Sequence, residues 1–502
     1  MISIIFRFQP ADSIKIIFLT DQIHPKPLKK AQSKTEEYPD RGLGNRHIQL
    51  IALGGAIGTG LFLGVGPAVV LAGPSVILGY AIAGMFAFFI MRQLGEMLVE
   101  EPVSGSFSHF AYKYWGDFPG FASGWNYWLL YIMVSMTELT AIGVYIQFWW
   151  PEIPLWVSSL FFFVVINLLN LTSVKVFGET EFWFAIIKVS AIIAMILFGT
   201  YLLISGTGGE QATVQNLWND GGFLPKGLIS KDAAGNYQGL LSAIALIMFS
   251  FGGLELVGIA AAETKNPERN IKKATNQLIY RILIFYIGSL IILFSISPWQ
   301  SIGVDSSPFV SVFDRLNSFN FELLGRNFQV SSLIANGLNI IVLSAALSVY
   351  NSSVYSNSRM LYGLAKQGNA PKAFMKLSKS KVPVNGILFS AFFTAFGVLI
   401  NKIIPEEAFE ILISLVVSSL VLLWLIICYT HIRFSSAHRV VKTKFPTILY
   451  PWTNIITLIF LMLVLIVMWE TGLKISVELI PIWVLVLYLS YLISKIIKPK
   501  KS

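Results

Sequence analysis

The chain has 502 residues, of which 55% are hydrophobic and only 13% charged, whereas about a quarter of an ordinary soluble protein is charged. Mean hydropathy is +0.68, and apolar runs recur from about residue 48 almost to the C-terminus, which excludes a soluble enzyme and an intrinsically disordered chain. The net charge of +10 is scattered between these runs and forms no continuous basic face, so nucleic acid is excluded as a partner and the lipid bilayer is implied.

In chain order, residues 1–40 hold Pro25, Pro27 and a Lys-rich stretch and read as a mobile cytoplasmic tail. Their apolar patches, Ile2 to Phe6 and Ile14 to Leu19, are too short and too interrupted by charge for a signal peptide. Residues 41–502 read as one all-α membrane domain. Stretches of bilayer-crossing length, about 20 residues each, fall near 48–71, 74–98, 119–147, 155–174, 183–205, 238–261, 277–299, 331–355, 384–402, 408–430, 449–469 and 475–494. The longest loops, about 206–237, 300–330 and 356–383, are too short for an independent core. Twelve spans put both termini on one side. With that side cytoplasmic, 28 Lys and Arg fall in cytoplasmic segments and six in the opposite loops, a strong positive-inside bias.

Two of these spans carry breaks. The first contains Gly54, Gly55, Ala56, Ile57, Gly58, Thr59 and Gly60, and the sixth contains Phe249, Ser250, Phe251, Gly252, Gly253, Leu254 and Glu255. Glycine at this density weakens a helix, and unwound backbone at membrane depth is tolerated only inside protein or along a cavity. Broken first and sixth helices point to an inverted five-plus-five repeat, 48–205 and 238–430, with a substrate site at the midplane and two extra helices over 449–494. A half-helix N-terminus offers N–H groups to an anion, and a C-terminal end offers carbonyls to a cation. The pair describes a receptor for a zwitterion. Close packing is the competing reading of the first cluster, since Gly54 and Gly58 have the spacing of a helix-association motif.

Few charges lie within the spans. Lys188 is well inside the fifth, where an ammonium costs a few kcal/mol unless paired or neutral, which makes it a candidate for taking up and releasing a proton. Glu138 on the third span is a second intramembrane charge, open to a cation pair, a proton path or the cavity wall, and Glu255 follows the sixth-span break. Glu96 lies near the inner face, where a gate pairing with Arg41, Arg46 or Arg92 is open to it. Tyr127, Tyr131, Tyr350 and Asn351 are weaker pocket candidates, because polar side chains on packed helices often only bond a neighbour. The single cysteine, Cys428, excludes a disulfide framework and a cysteine-based metal site. The five histidines have no metal-ligand spacing, and no phosphate loop or nucleophile elbow is present.

Beyond these patterns, Arg41-Gly-Leu-Gly-Asn-Arg-His-Ile-Gln-Leu-Ile-Ala-Leu-Gly-Gly-Ala-Ile-Gly-Thr-Gly60 resembles the opening of the amino acid permeases of the amino acid–polyamine–organocation superfamily. So do Arg92-Gln-Leu-Gly-Glu-Met97, Gly124-Trp-Asn-Tyr127, Ala262-Glu-Thr-Lys-Asn-Pro267 and Ser358-Arg-Met-Leu-Tyr-Gly363. The bacterial aromatic branch, general or phenylalanine-specific, is resembled by Gly105 to Trp115, by Val176 to Glu179 with Glu181 to Val189, and by Ala346 to Ser352. The likeness runs from about residue 41 to the last span and departs at Lys231 to Gln238 and Phe321 to Val330, which look longer than usual.

The resemblance implies twelve helices and proton-coupled import of phenylalanine, tyrosine and tryptophan across the bacterial inner membrane, with the proton as coupling ion and no cofactor. It implies that Gly54, Gly55, Ala56, Gly58, Thr59 and Gly60 capture a substrate carboxylate through main-chain N–H groups. Phe249, Ser250, Phe251 and Gly252 would border the ammonium and the substrate side chain, an aromatic ring there also serving as a gate. Lys188 would reach the first-span break and link protonation to the first helix, with Glu138 near the proton path; the alternative is a permanently charged structural lysine. The alternatives for the whole protein are a carrier of another amino acid (phenylalanine only, basic or aliphatic), a transport-inactive amino acid sensor and a membrane enzyme, the last disfavoured by the histidine distribution. The sequence specifies no oligomeric state.

Overall fold

The computed structural model of the chain describes residues 57–103, 106–256, 266–303, 307–314, 320–323, 326–438 and 443–497. These residues are nearly all helical, and nine helices among them are long and apolar enough to cross a membrane. Two apolar helices, Leu155–Asn170 and Leu240–Phe249, are shorter. The expected tail over 1–40 and the candidates Gly54, Gly55 and Ala56 lie outside the described residues.

The first apolar run, Thr59–Glu100, covers 42 residues but is not straight. It comprises α1 (Thr59–Phe62), α2 (Val65–Ala72), a tight turn over Gly73–Ser75 and α3 (Val76–Glu100). Gly73 sits at φ +61°, where a side chain would be strained, and Pro74 follows, so the helix is interrupted there between two predicted spans. Next come α4 (Ser106–Tyr114), α5 (Asp117–Gln147), α6 (Leu155–Asn170) and α7 (Val174–Ser205). The start of α7 is capped by Ser173, whose hydroxyl accepts from the Val176 N–H at 3.2 Å.

In the second half, α8 (Leu240–Phe249) is cut short by the sixth-span break. Helix α9 (Pro267–Arg281) continues through a π-helical stretch, Ile282–Gly288, into α10 (Ser289–Ile296). Then follow α11 (Pro308–Asp314), α12 (Val330–Lys366), α13 (Val384–Ile403), α14 (Ala408–Ala437), α15 (Trp452–Glu470) and α16 (Lys474–Ile497). Two antiparallel hairpins interrupt the helices: β1 (Ser230–Lys231) with β2 (Tyr237–Gln238), and β3 (Asn320–Leu323) with β4 (Arg326–Gln329). They occupy the two stretches where the sequence departs from the permease pattern. In the first, Asp232 accepts the N–H groups of Ala234 and Asn236, each at 2.9 Å, and these bonds hold its carboxyl below the usual range.

Helix α5 is the central post, packed against α4, α6, α12, α13 and α14. The most apolar window of α5 is 83% buried, against 17% for α16, which places α16 at the periphery of the bundle. Polar side chains within the bundle bond across helices: Asn126 to the Ser419 carbonyl at 2.9 Å, Thr140 to Asn401 at 2.8 Å, and Asn401 to Ser159 at 3.0 Å. Such bonds tie helices together where lipid offers no partner.

Candidate substrate site

The two interrupted helices meet. In the first, Gly58 is extended (φ −132°, ψ −162°) and α1 begins at Thr59. The first helical bond runs from the Leu61 N–H to the Gly58 carbonyl at 3.2 Å, so the N–H groups of Thr59 and Gly60 precede the helical ladder. In the sixth, Ser250 to Glu255 leave the helix in successive turns and helix resumes at Leu256. Gly253 makes this possible at φ +94°, a conformation side chains resist.

A cavity that opens at one side lies where they meet. Gly58 and Gly60 line it from the first break, and Phe249, Ser250, Gly252, Gly253, Glu255 and Leu256 from the sixth. Helix α5 adds Leu130, Tyr131, Val134 and Glu138, α12 adds Val349 and Ser352, and α14 adds Val416. Main-chain groups, two carboxyls and three hydroxyls thus face the same space as a set of branched apolar side chains.

Several candidates brace this lining or sit just behind it. Thr59 is fully buried and donates its hydroxyl to Glu138 Oε1 at 2.7 Å, joining α1 to α5. Glu255 Oε1 accepts from the Gly253 N–H at 3.3 Å and from the Tyr131 hydroxyl at 3.4 Å, so the carboxyl braces the turn that releases the backbone. Phe251 does not line the cavity; its ring packs beside Tyr286 (centroids 5.1 Å) and Tyr80 (6.0 Å), because successive residues of the break point to different sides. Tyr127 also lies off the cavity, against Tyr131 and Phe107. Tyr350 accepts from Asn167 at 2.7 Å and Asn351 from Asn170 at 2.8 Å, so both serve the α6–α12 seam.

Lys188 is fully buried on α7 and donates to Ser348 Oγ on α12 at 2.9 Å. Ser348 in turn donates to Glu181 Oε1. Sequence reasoning passed over Glu181 as a site residue, although its spacing of seven from Lys188, two helical turns, puts both charges on one face of α7. Ser352, Leu130, Val134, Val349 and Val416 were also missed, since neither a lone serine nor a branched apolar residue on a membrane helix carries a mark of facing a cavity.

At the C-terminal end of α3, Glu96 is held by His431 rather than by Arg92. It accepts from His431 Nε2 at 2.9 Å, Thr443 Oγ1 at 2.6 Å and the Thr447 N–H at 2.7 Å. Arg92 instead donates to the Pro446 carbonyl at 2.9 Å and stacks on Phe445. Arg41 and Arg46 lie outside the described residues. Glu101, just past α3, binds His109 and Lys113, and the bond from His109 leads in holding its carboxyl down at about 2. Glu96→Ala is expected to leave buried donors on His431 and Thr447 without their acceptor, at about 1–3 kcal/mol each. The thermal midpoint of the detergent-solubilised variant should fall clearly below that of the parent; equal midpoints would show that water replaces the carboxyl.

Helices of bilayer length around a cavity formed at two helix breaks define a multi-pass membrane protein with a small-molecule site. The amino acid permease family matches residues 47–500, and the chain belongs to it. It is 62% identical over 455 residues to the aromatic amino acid transport protein AroP of Escherichia coli K12, covering 90% of this chain and 95% of that protein. AroP of Salmonella typhimurium SL1344 is 61% identical over the same length. The uncharacterized amino acid permease YtnA of Bacillus subtilis 168 is 40% identical over 466 residues, 91% of this chain and 96% of the relative. The protein is therefore a permease and not an enzyme.

Proposed function

We propose that the chain imports aromatic L-amino acids, phenylalanine, tyrosine and tryptophan, across the bacterial inner membrane, coupled to protons and working by alternating access. The observation that carries this reading is the cavity between the two broken helices, where main-chain groups and apolar side chains face one space. The 62% identity to AroP supports the aromatic assignment. The scaffold in this reading is the twelve-helix, five-plus-five repeat, with both termini cytoplasmic.

In this mechanism the substrate carboxylate meets the N–H groups that begin the first helix after its break, where charge-assisted bonds are strongest. The ammonium meets carbonyls of the broken stretch beside Phe249 to Gly252, and the ring lies among Leu130, Val134, Val349 and Val416. Protonation of Lys188 sets the conformation of the first helix, and Glu138, bonded to Thr59, carries the state of the cavity to α5.

The test is uptake of labelled L-phenylalanine in cells lacking their own carriers, with unlabelled competitors and a protonophore. Accumulation that tyrosine, tryptophan and the protonophore each abolish is the expected result. Competition by phenylalanine alone would narrow the substrate, and uptake indifferent to the protonophore would overturn the proton coupling.

A further inference from the structure

Helix α7 carries a charge pair that the cavity does not use. Glu181 and Lys188 are both fully buried, and neither they nor Ser348 line the cavity. They are joined through one hydroxyl, with Lys188 Nζ donating to Ser348 Oγ at 2.9 Å and Ser348 donating to Glu181 Oε1. Each donor in this relay points toward the carboxylate, the order expected when a positive and a negative charge share a hydroxyl. The relay is also tied to the substrate site. Ser348 precedes Val349, which lines the cavity and packs so closely on the first break that a Cβ at Gly58 would lie 2.8 Å from Val349 Cγ2.

We propose that Glu181, acting through Ser348, is the positioning residue that fixes where Lys188 sits and at what pH it exchanges its proton. The inference rests on the proton-coupled reading above and deepens it.

Other charges face Lys188: Glu138 from α5 and Arg281 from the end of α9 act on it, the first as an opposite charge and the second as a like one. On α12, Asn351 and Ser352 face Glu181. Glu138 is less suited to hold the lysine constant, because it borders the cavity and accepts from Thr59 at the moving break. Glu181 does not itself line the cavity and sits on the same helix as the lysine, so its field persists as the cavity fills and empties. The two carboxylates thus have separate roles, Glu138 responding to the substrate and Glu181 supplying the fixed reference charge.

The experiment uses the full-length protein in liposomes, measuring labelled phenylalanine uptake against external pH and, separately, phenylalanine exchange at equal pH on both sides. Glu181→Gln keeps the shape and removes the charge. Its half-maximal uptake is expected to move to more acidic pH by about one unit, since an amine deprived of a neighbouring carboxylate binds its proton less firmly, while exchange continues. Ser348→Ala breaks the bridge and is expected to move the profile in the same direction, whereas Ser348→Thr keeps the hydroxyl and should retain the parent profile. If Glu181→Gln fails to reach the membrane, the Ala and Thr variants at 348 carry the comparison. Profiles for Glu181→Gln and Ser348→Ala that superpose on the parent's would overturn the proposal. Failure of the underlying reading looks different: the unmodified protein itself would then show no accumulation under an acid-outside gradient.

Discussion

Gly60→Ala is expected to lower the initial rate of phenylalanine uptake by about a hundredfold at normal membrane expression, the scale on which misplacing a binding group by about 1 Å is felt. An added Cβ would lie 2.6 Å from Ser250 Cα, 2.8 Å from Ser250 Oγ and 2.9 Å from Ser250 N. Two of these are backbone atoms, which cannot swing aside as a side chain can. Nor is Ser250 free to retreat. Its hydroxyl is bonded to Tyr80 at 2.9 Å, and Tyr80 also donates to the Gly60 carbonyl at 3.2 Å. Its carbonyl accepts from Tyr286 at 2.8 Å, and Tyr286 stands in the π-helical stretch that follows α9. The two tyrosine rings stack at 5.5 Å, so each backs the other against Ser250. The extra methyl must therefore push the two broken helices apart at the point where both line the cavity. Tyr80→Phe provides the contrast, removing hydrogen bonds without adding bulk, and its loss should be much smaller, the net worth of such bonds being about 1 kcal/mol each. The rate normalised to expression decides the matter; parent-like uptake by Gly60→Ala would mean that the seam opens during transport.

The seam also shows what the sequence could and could not reveal. Both breaks were legible because glycine density at membrane depth has few physical explanations, and the structure puts Gly58, Gly60 and Ser250 on one cavity. The helices were legible for a similar reason, as apolar length is a direct requirement of the bilayer. Side-chain direction within an irregular segment was not. Phe249 and Phe251 look equivalent in the sequence, yet Phe249 lines the cavity and Phe251 packs with Tyr80 and Tyr286, since only the turn at Ser250 to Gly253 decides where each ring goes. The partner of Glu96 was hidden too. It comes from His431, 335 residues away, and no local period connects α3 with α14. Arg92, the nearer basic residue, is drawn off by the Pro446 carbonyl and the Phe445 ring.

Lys188→Met is expected to abolish accumulation of phenylalanine against its gradient, because in the proposed mechanism the proton that sets the first helix rides on this amine. The substitution also has a structural cost that a loss of activity alone would confuse with a loss of coupling. It leaves Glu181 and Glu138, both buried, without the cation whose attraction each feels. Breaking a buried pair by removing one partner costs about 3–5 kcal/mol, most of it from the charge left behind. The thermal midpoint of Lys188→Met should therefore fall well below the parent's. Combining it with Glu181→Gln removes one of the two stranded charges, so the double variant should recover part of that midpoint while remaining unable to accumulate substrate. Recovery of stability without recovery of accumulation separates the two roles of the lysine. Accumulation by either variant in well-expressed form would instead move the proton elsewhere, and Glu138, which touches both Thr59 and the cavity, would be the next residue to change.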